Sequence, residues 1–169
     1  KSIKRYLDFI IALIALPFVI LIIIPVGAAI KMEDGGDIFY LSKRYGIHMK
    51  KFKMIKFRTM KMNAPDIRNQ DGSTYNSADD SRLTKVGSFL RRNSIDEIPQ
   101  LINVLLGDMS IVGPRPSPMG NEATYTDNVK RKFDVRPGIT GYNQALLRNS
   151  ATLEERYKND VFYAQNISF

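Results

Sequence analysis

Two adjacent carboxylates, Asp96 and Glu97, are the residues of this sequence whose types and placement best suit chemistry. Isoleucine and leucine recur after them with helical spacing, and Pro99, which is tolerated only near a helix start, follows closely. The pair therefore lies in the first turn of a predicted helix, where exposed amides and the helix dipole favour an ionised carboxylate. An ionised aspartate there can attack phosphorus, bind a divalent cation, or do both.

The same residues also fit a purely structural pattern. Ser94 followed three residues later by Glu97 matches a capping box, in which two side chains satisfy the first amides of a helix. Acidic residues are common at helix starts. The local pattern alone therefore favours capping over catalysis.

Cationic residues in ordered or stiffened segments shift the balance towards catalysis. Arg115 lies between two prolines, which restrict its backbone, and Arg136 precedes Pro137 in a second turn rich in proline and glycine. Lys56 lies on a predicted strand, and Arg91 lies just before the carboxylate pair. A phosphoryl-transfer site requires cations that neutralise phosphate oxygens and a carboxylate for nucleophilic or metal work. For each single arginine, a solvated surface charge is the competing interpretation.

The composition narrows the classes of protein. A chain of 169 residues with 44% apolar content can bury one core, so one globular domain is expected beside any membrane segment. The formal net charge of +8 favours anionic partners, but charge alone does not choose among phosphates, nucleotides, nucleic acid and acidic lipids. The absence of cysteine excludes disulfides and thiol nucleophiles, and the single histidine, His48, leaves little room for histidine metal sites.

An uncharged, strongly apolar run covers residues 9–30, and a helix needs about 20 such residues to cross a bilayer. A buried core helix and a signal peptide are the alternatives, but the run is apolar on every face and longer than a signal-peptide core. Both flanks carry net positive charge, so a simple span would place one of them on the unfavoured side. We therefore predict a re-entrant membrane segment over residues 1–31, bent at Pro25, and a cytosolic domain over residues 32–169.

The remaining elements must position the carboxylates and cations. Strands are predicted over residues 38–41 and 52–59. Tyr45 and Gly46 can turn the chain between them, which gives a β-hairpin that carries Lys56. Helices are predicted over residues 83–92, 95–105 and 152–164. Gly107 stops the second of these, and the polar stretch 63–81 is predicted to be a long loop. The predicted fold class is α+β: a small, mostly helical cytosolic domain with a β-hairpin, attached through a re-entrant (monotopic) membrane helix.

Five sequence strings follow one another along the chain, at residues 56–60, 80–87, 94–104, 107–116 and 136–141. In this order they resemble the bacterial sugar transferases, the monotopic phosphoglycosyl transferases that prime polyprenyl-linked glycan synthesis. The resemblance runs from the apolar segment almost to Phe169. Five ordered motifs are far more specific than any one of them.

The resemblance implies a mechanism in two half-reactions. Asp96 would attack the β-phosphorus of a UDP-sugar and release UMP, and polyprenyl (undecaprenyl) phosphate would then attack the aspartyl phosphosugar. It also implies Mg²⁺ at Asp96, with Glu97 assisting metal or proton handling. The implied contacts to phosphate come from Lys56, Arg91, Arg115, Arg136 and Pro137.

The resemblance also implies a setting, the bacterial cytoplasmic (inner) membrane, with the catalytic domain on the cytosolic face and the first membrane step of glycan assembly as the task. The implied partners are a UDP-sugar, polyprenyl phosphate and membrane lipids, without nucleic acid; a homodimer is compatible with the sequence. One alternative is a membrane-anchored basic module that binds anionic lipid or nucleic acid without catalysis. Another, glycoside hydrolysis, needs carboxylates about 5 to 9.5 Å apart on opposite sides of a bond, which adjacent residues supply poorly.

Overall fold

The computed structural model describes residues 2–67, 69, 75, 77, 80–147 and 150–167. Its helices are α1 (Ser2–Asp34), α2 (Lys85–Arg92), α3 (Gln100–Leu106), α4 (Asp127–Lys130), α5 (Tyr142–Leu147) and α6 (Leu153–Asn166). Its strands are β1 (Phe39–Tyr45), β2 (Lys51–Phe57), β3 (Ser110–Val112), β4 (Ser117–Pro118) and β5 (Gly138–Thr140). Short 3-10 turns cover Ile47–Met49, Ile95–Glu97, Glu122–Thr124 and Arg131–Asp134. The predicted mixture of helices and a hairpin is confirmed, whereas much of the predicted loop over 63–81 lies outside the described residues.

The predicted hairpin is formed by β1 and β2, which pair antiparallel in a register that places Phe39 opposite Phe57. The two rings stack at 5.6 Å between centroids, and Phe57 is fully buried. Two further pairings were not predicted. Strand β4 extends this sheet in the order β2-β1-β4, and β3 pairs parallel with β5.

The three predicted helices are present with shifted ends. Helix α2 begins after Thr84, whose hydroxyl accepts from the Gly87 N–H at 2.9 Å. Helix α3 ends at Gly107 as predicted. The backbone of Gly107 has a φ of +90°, a left-handed conformation that favours glycine. Helix α6 begins after Thr152, which forms a capping box with Glu155. Local capping chemistry thus explains where these helices begin and end.

One stripe of α1 packs along the rest of the domain. Its buried residues are Asp8, Ala12, Val19, Gly27 and Ile30. Near its start, Ala12 shares a core with Val104 of α3, and near its end, Ile30 shares another with Phe57 of β2. The apolar helix therefore packs against the domain near both of its ends.

The outer face of α1 is exposed apolar surface. Large side chains between the two packed regions are 51–66% exposed, namely Leu13, Ile14, Phe18, Leu21 and Ile24. Among the described residues, α1 is the one helix long and apolar enough to cross a membrane. Pro17 and Pro25 both lie inside this continuous helix. The bend at Pro25 and the re-entrant path stay predictions.

Both ends of α1 also make polar contacts with the domain. Near the start, the Arg5 guanidinium donates to the carbonyl oxygen of Val104 at 2.6 Å. Near the end, the Glu33 carboxylate accepts from the backbone N–H groups of Lys85 and Val86 at 2.6 and 3.0 Å. Glu33 thereby satisfies the first amides of α2, which have no partner inside that helix.

Candidate active site

Asp96 and Glu97 lie in the 3-10 turn Ile95–Glu97, just before α3. Ser94 has a left-handed backbone, with φ 56°, and its side chain makes no capping hydrogen bond. The predicted capping box of Ser94 and Glu97 is therefore wrong, because a capping residue needs an extended backbone to aim its hydroxyl at the following amides. Both carboxylates are left for other partners.

Lys56, on β2, lies beside the two carboxylates. Its Nζ lies 2.6 Å from Oε1 of Glu97 and 3.7 Å from Oδ2 of Asp96. The second distance is too long for a hydrogen bond, so Lys56 donates to Glu97 and acts on Asp96 through charge. The structure thus brings together three residues that the sequence had placed in one site.

Asn103 of α3 holds β2 against this helix and so sets the distance between Lys56 and the carboxylates. Its side chain is 1% exposed. The amide nitrogen donates to the carbonyl oxygen of Lys53, and the amide oxygen accepts from the Ile55 N–H, both at 2.9 Å. The sequence analysis did not single out Asn103. An amide side chain directly before the apolar Val104, within a helical pattern, was a signal that could have identified it.

Arg91 of α2 is placed by Thr59, whose hydroxyl oxygen accepts from Nε at 3.1 Å. Helix α2 approaches Thr59 closely at Gly87, where an added Cβ would lie 1.9 Å from the Thr59 carbonyl oxygen. Burial lowers the pKa of Arg91, and the neighbouring charge of Asp96 opposes that shift. Thr59 was missed as a positioning residue, although it belongs to the motif at residues 56–60.

Arg115 reaches the site from the proline-rich loop after β3. Its Nη2 lies 3.4 Å from Oε1 of Glu97, and its side chain is 51% exposed. The loop is tied to the start of β5, because the Gly138 N–H donates to the Pro114 carbonyl oxygen at 2.8 Å. Arg115 therefore has a fixed backbone and a side chain open to solvent.

Burial and the neighbouring cations act in opposite directions on the two carboxylates. Burial raises the pKa of Asp96, and the charge of Lys56 offsets this only in part. Burial also favours a higher pKa for Glu97, but the charges of Lys56 and Arg115 together lower it. Burial lowers the pKa of Lys56 against the opposing charge of Glu97. Glu97 is thus the stabilised anion of the pair, and Asp96 is the more basic carboxylate.

The carboxylate of Asp96 is buried and receives no hydrogen bond from the part of the chain that the structure describes. The residue is 7% exposed. Mg²⁺ at phosphate sites takes one or two protein carboxylates and completes its six ligands with phosphate oxygens and water. Asp96 beside Glu97 fits that donor set. The described residues contain no group of three or more acidic or histidine side chains for an all-protein metal site, and Mg²⁺ at Asp96 stays a prediction.

Arg136 lies in different surroundings from the other predicted cations. Its Nε donates to the carbonyl oxygen of Gly107 at 2.8 Å, at the end of α3. Its side chain lines an open cleft that Arg5 also lines. Within the described residues, no hydrogen bond or ion pair joins Arg136 to Asp96 or Glu97. Contact between Arg136 and phosphate stays a prediction.

Pro137 lies nearer to the cationic loop. It lines a small cleft together with Arg115, and its carbonyl oxygen accepts from the Ser110 N–H at 2.8 Å. This bond joins β3 to the turn before β5. The structure therefore gives Pro137 a place in the scaffold of the loop, and its contact with phosphate stays a prediction.

The arrangement suits attack on an anionic phosphorus centre. Asp96 is a basic, buried carboxylate, and Lys56, Arg91 and Arg115 supply positive charge around it. Cations fixed in this way offset the repulsion between a carboxylate and a phosphate, and they stabilise charge on the phosphate oxygens.

Known proteins are similar in sequence to this chain along nearly its whole length. The sequence model of the family described as "Bacterial sugar transferase" matches residues 1–169. Sugar transferase EpsL of Bacillus subtilis (strain 168) is 41% identical over 98% of the chain and 79% of that protein. UDP-glucose:undecaprenyl-phosphate glucose-1-phosphate transferase of Escherichia coli (strain K12) is 39% identical over 99% of the chain, which spans 37% of that protein.

A third relative, UDP-N-acetylgalactosamine-undecaprenyl-phosphate N-acetylgalactosaminephosphotransferase of Aeromonas hydrophila, is 34% identical over 98% of the chain and 40% of that protein. The chain thus spans most of the Bacillus relative and less than half of the other two. From the family match and these identities, the chain is a transferase that belongs to the bacterial sugar transferase family.

Proposed function

We propose that this chain moves a sugar 1-phosphate from a UDP-sugar to polyprenyl phosphate and releases UMP, through a covalent intermediate on Asp96. The observation that carries the proposal is the Asp96 carboxylate itself. It is buried among three cations and receives no hydrogen bond from the described residues. The names of the Escherichia and Aeromonas relatives each contain a UDP-sugar and undecaprenyl phosphate. These names support the choice of substrates.

In the first half-reaction, a carboxylate oxygen of Asp96 forms a bond to the β-phosphorus of the UDP-sugar. The bond from that phosphorus to the α,β-bridging oxygen breaks, and UMP leaves with the bridging oxygen and its electron pair. The product on the enzyme is an aspartyl phosphosugar. The raised pKa of Asp96 favours this step, because a more basic carboxylate is a better nucleophile once it is ionised.

In the second half-reaction, a phosphate oxygen of polyprenyl phosphate attacks the phosphorus of the aspartyl phosphosugar. The bond between Asp96 and phosphorus breaks, so the products are the polyprenyl diphosphate sugar and the free carboxylate. Each step exchanges one oxygen–phosphorus bond for another. No oxidant or further co-reactant is needed.

The cations have separate tasks in this scheme. Arg115 has the exposed side chain and binds the incoming diphosphate, while Arg91 supplies positive charge from α2. Lys56 holds Glu97 and keeps Asp96 ionised through its charge. Mg²⁺ bound at Asp96 with Glu97 would neutralise charge on the diphosphate oxygens.

We also propose that α1 attaches the enzyme to the cytosolic face of the bacterial inner membrane as a monotopic segment bent at Pro25. A helix that crossed the bilayer would carry one end to the far side, away from a domain on the near side. Both ends of α1 contact the same domain, Arg5 at α3 and Glu33 at α2. The exposed apolar face between these contacts supports burial in lipid. This placement brings Asp96 to the surface where a polyprenyl phosphate is anchored.

The test is release of UMP from a panel of UDP-sugars by the purified full chain, with and without polyprenyl phosphate. We expect Asp96→Asn to abolish release, and intact mass measurement of the wild type without acceptor to detect a phosphosugar adduct that this variant lacks. Asp127→Asn, whose side chain is 99% exposed, is the matched control and should behave as wild type. Wild-type release of UMP by Asp96→Asn would exclude Asp96 as the nucleophile.

A further inference from the structure

The last turn of α1 is joined to two elements on opposite sides of the candidate active site. Asp34 accepts two hydrogen bonds from the guanidinium of Arg58, one of them 2.7 Å long, and Arg58 directly follows β2. Glu33 accepts from the N–H groups of Lys85 and Val86, at the start of α2, over 2.6 and 3.0 Å. The end of the apolar helix therefore bridges β2, which carries Lys56, and α2.

Helix α2 leads from this bridge to the turn that carries Asp96. The carbonyl oxygen of Arg91, near the end of α2, accepts from the Ser94 N–H at 3.1 Å, and the 3-10 turn Ile95–Glu97 begins at the next residue. Helix α2 contains eight residues, about two turns, so it moves as one rigid body. A displacement of its first turn is therefore passed on to the turn of Asp96.

A shared core lies between the same elements. Ile30 of α1, Phe57 of β2 and Leu90 of α2 form one buried cluster, and Ile95, the residue before Asp96, packs against it. Apolar packing is not directional. The two charge-assisted hydrogen bonds from Glu33 are directional, so they fix the orientation in which α2 leaves this core.

The other polar contacts between this segment and the end of β2 converge on Thr59. The Thr84 N–H donates to the Thr59 carbonyl oxygen at 3.1 Å, Gly87 lies against that same oxygen, and Arg91 Nε donates to the Thr59 hydroxyl. Contacts to a single residue fix the distance of α2 from that residue better than they fix its direction. Glu33 supplies a second point of attachment from a different element.

We propose that Glu33, held in place by Asp34 and Arg58, is a positioning residue that sets the turn of Asp96 against Lys56 by fixing the start of α2. The distance that depends on it is the 3.7 Å between the Lys56 Nζ and Oδ2 of Asp96. This inference rests on the proposed function, because it takes Asp96 as the nucleophile. It makes the end of the apolar helix a part of the active-site architecture.

A carboxylate that only caps α2 would behave differently when it is replaced. Loss of a helix cap costs about 0.5–2 kcal/mol of stability and has no specific dependence on Lys56. Glu155 is the matched control, because its carboxylate accepts from the Thr152 N–H at the start of α6, at 2.8 Å, and has no part in the phosphoryl-transfer scheme. Glu33→Gln removes the charge and keeps one acceptor oxygen, whereas Glu33→Met removes both acceptors.

We expect Glu33→Met to slow single-turnover release of UMP about ten-fold, as for a catalytic group misplaced by less than about 1 Å, with little change in KM for the UDP-sugar. Glu33→Gln should lose less. In a Lys56→Met background, Glu33→Met should cause a much smaller further loss, because the cation against which Asp96 is set is absent. Glu155→Gln should release UMP at the wild-type rate, with its effect confined to thermal unfolding.

Amide hydrogen exchange gives a readout that does not need activity. Glu33→Gln and Glu33→Met should both speed exchange in residues 93–98, which include the turn of Asp96, whereas Glu155→Gln should not. Unchanged exchange in this segment would overturn the proposal. Equal losses of UMP release in the wild-type and Lys56→Met backgrounds would also overturn it.

Two further outcomes remain decisive. If Glu33→Met does not fold, Glu33→Gln decides the question by the same two criteria. If the wild type releases no UMP, the proposed function fails, and exchange in residues 93–98 still decides whether Glu33 holds this turn.

Discussion

Lys56 donates a hydrogen bond to Glu97 over 2.6 Å, whereas its Nζ lies 3.7 Å from Oδ2 of the neighbouring Asp96, too far for a hydrogen bond. The two carboxylates are adjacent in sequence, yet the protein neutralises them unequally. The pKa of Glu97 is lowered by the cations, whereas that of Asp96 is raised by burial. This division suits an acid pair in which one member attacks and the other holds its surroundings in place.

Replacement of Lys56 should therefore harm catalysis more than binding. We expect Lys56→Met to lower kcat for UMP release by about 10²- to 10³-fold, the usual effect of removing one preorganised electrostatic contact. Lys53→Met is the matched control, since Lys53 lies on the same strand with an exposed side chain. Equal kinetics for the two variants, measured by single-turnover release of UMP, would contradict this role for Lys56.

The activity should fall on the acidic side at a pH above the ordinary aspartate pKa of 3.8. Asp96 attacks only when ionised, and burial raises its pKa, so activity is present above that raised pKa and is lost as the pH falls through it. Arg115→Gln removes a cation that lowers the pKa of Asp96, so the acidic fall in activity should move to higher pH. The measurement is the UMP burst without acceptor across a pH series. A fall in activity with its midpoint at or below pH 3.8 would count against Asp96 as the titrating group.

Arg136→Met distinguishes a structural role for Arg136 at the end of α3 from a role in binding the substrate. Since Nε donates to the Gly107 carbonyl oxygen at the end of α3, we expect the free energy of unfolding to fall by about 1.5 kcal/mol. The change in KM for the UDP-sugar should be much smaller than that of Arg115→Gln. Arg131→Met, at an exposed position, is the control for loss of charge. Unchanged stability in urea together with a KM raised as far as by Arg115→Gln would place Arg136 on the substrate instead.

Gly87→Ala should disturb the position of Arg91 in the active site, although Gly87 itself lies outside the site. The new Cβ would lie 1.9 Å from the Thr59 carbonyl oxygen, so α2 must move away from the residue that holds Arg91. We expect a loss of about 1–3 kcal/mol in the free energy of unfolding, as for other overpacked sites, with slower release of UMP. Ser88→Ala, one residue along, should change stability by no more than about 0.5 kcal/mol. Similar denaturation midpoints for the two variants would refute the close contact.

The membrane arrangement can be tested with single cysteines, because the chain has none of its own. Ser2→Cys and Ser81→Cys, both at exposed positions, should react with a membrane-impermeant maleimide from the same side, in inverted vesicles only. Ile14→Cys, in the exposed apolar stretch of α1, should be protected by lipid. Labelling of Ser2→Cys and Ser81→Cys from opposite sides would show that α1 crosses the membrane.

Local patterns predicted the parts of the structure that depend on near neighbours in the chain. The apolar run of α1, the hairpin of β1 and β2, and the stop of α3 at Gly107 follow from hydrophobic period and turn chemistry, which act over a few residues. The same reasoning failed at Ser94, where the pattern of a capping box is present and the backbone is left-handed. Thr152 and Glu155 form the capping box instead. A short motif permits a contact, and the surrounding fold decides whether it forms.

The sequence by itself determined which residues are chemically able to act: the acids Asp96 and Glu97, the cation between prolines at Arg115, and the apolar helix. Only the tertiary structure decided that Lys56 neutralises Glu97 rather than Asp96, across 41 positions of chain. It also brought Lys132 and Asp160 together as a buried ion pair, across 28 positions of chain. Such contacts join residues far apart in sequence, and their formation depends on how the helices and strands pack, which no local pattern encodes.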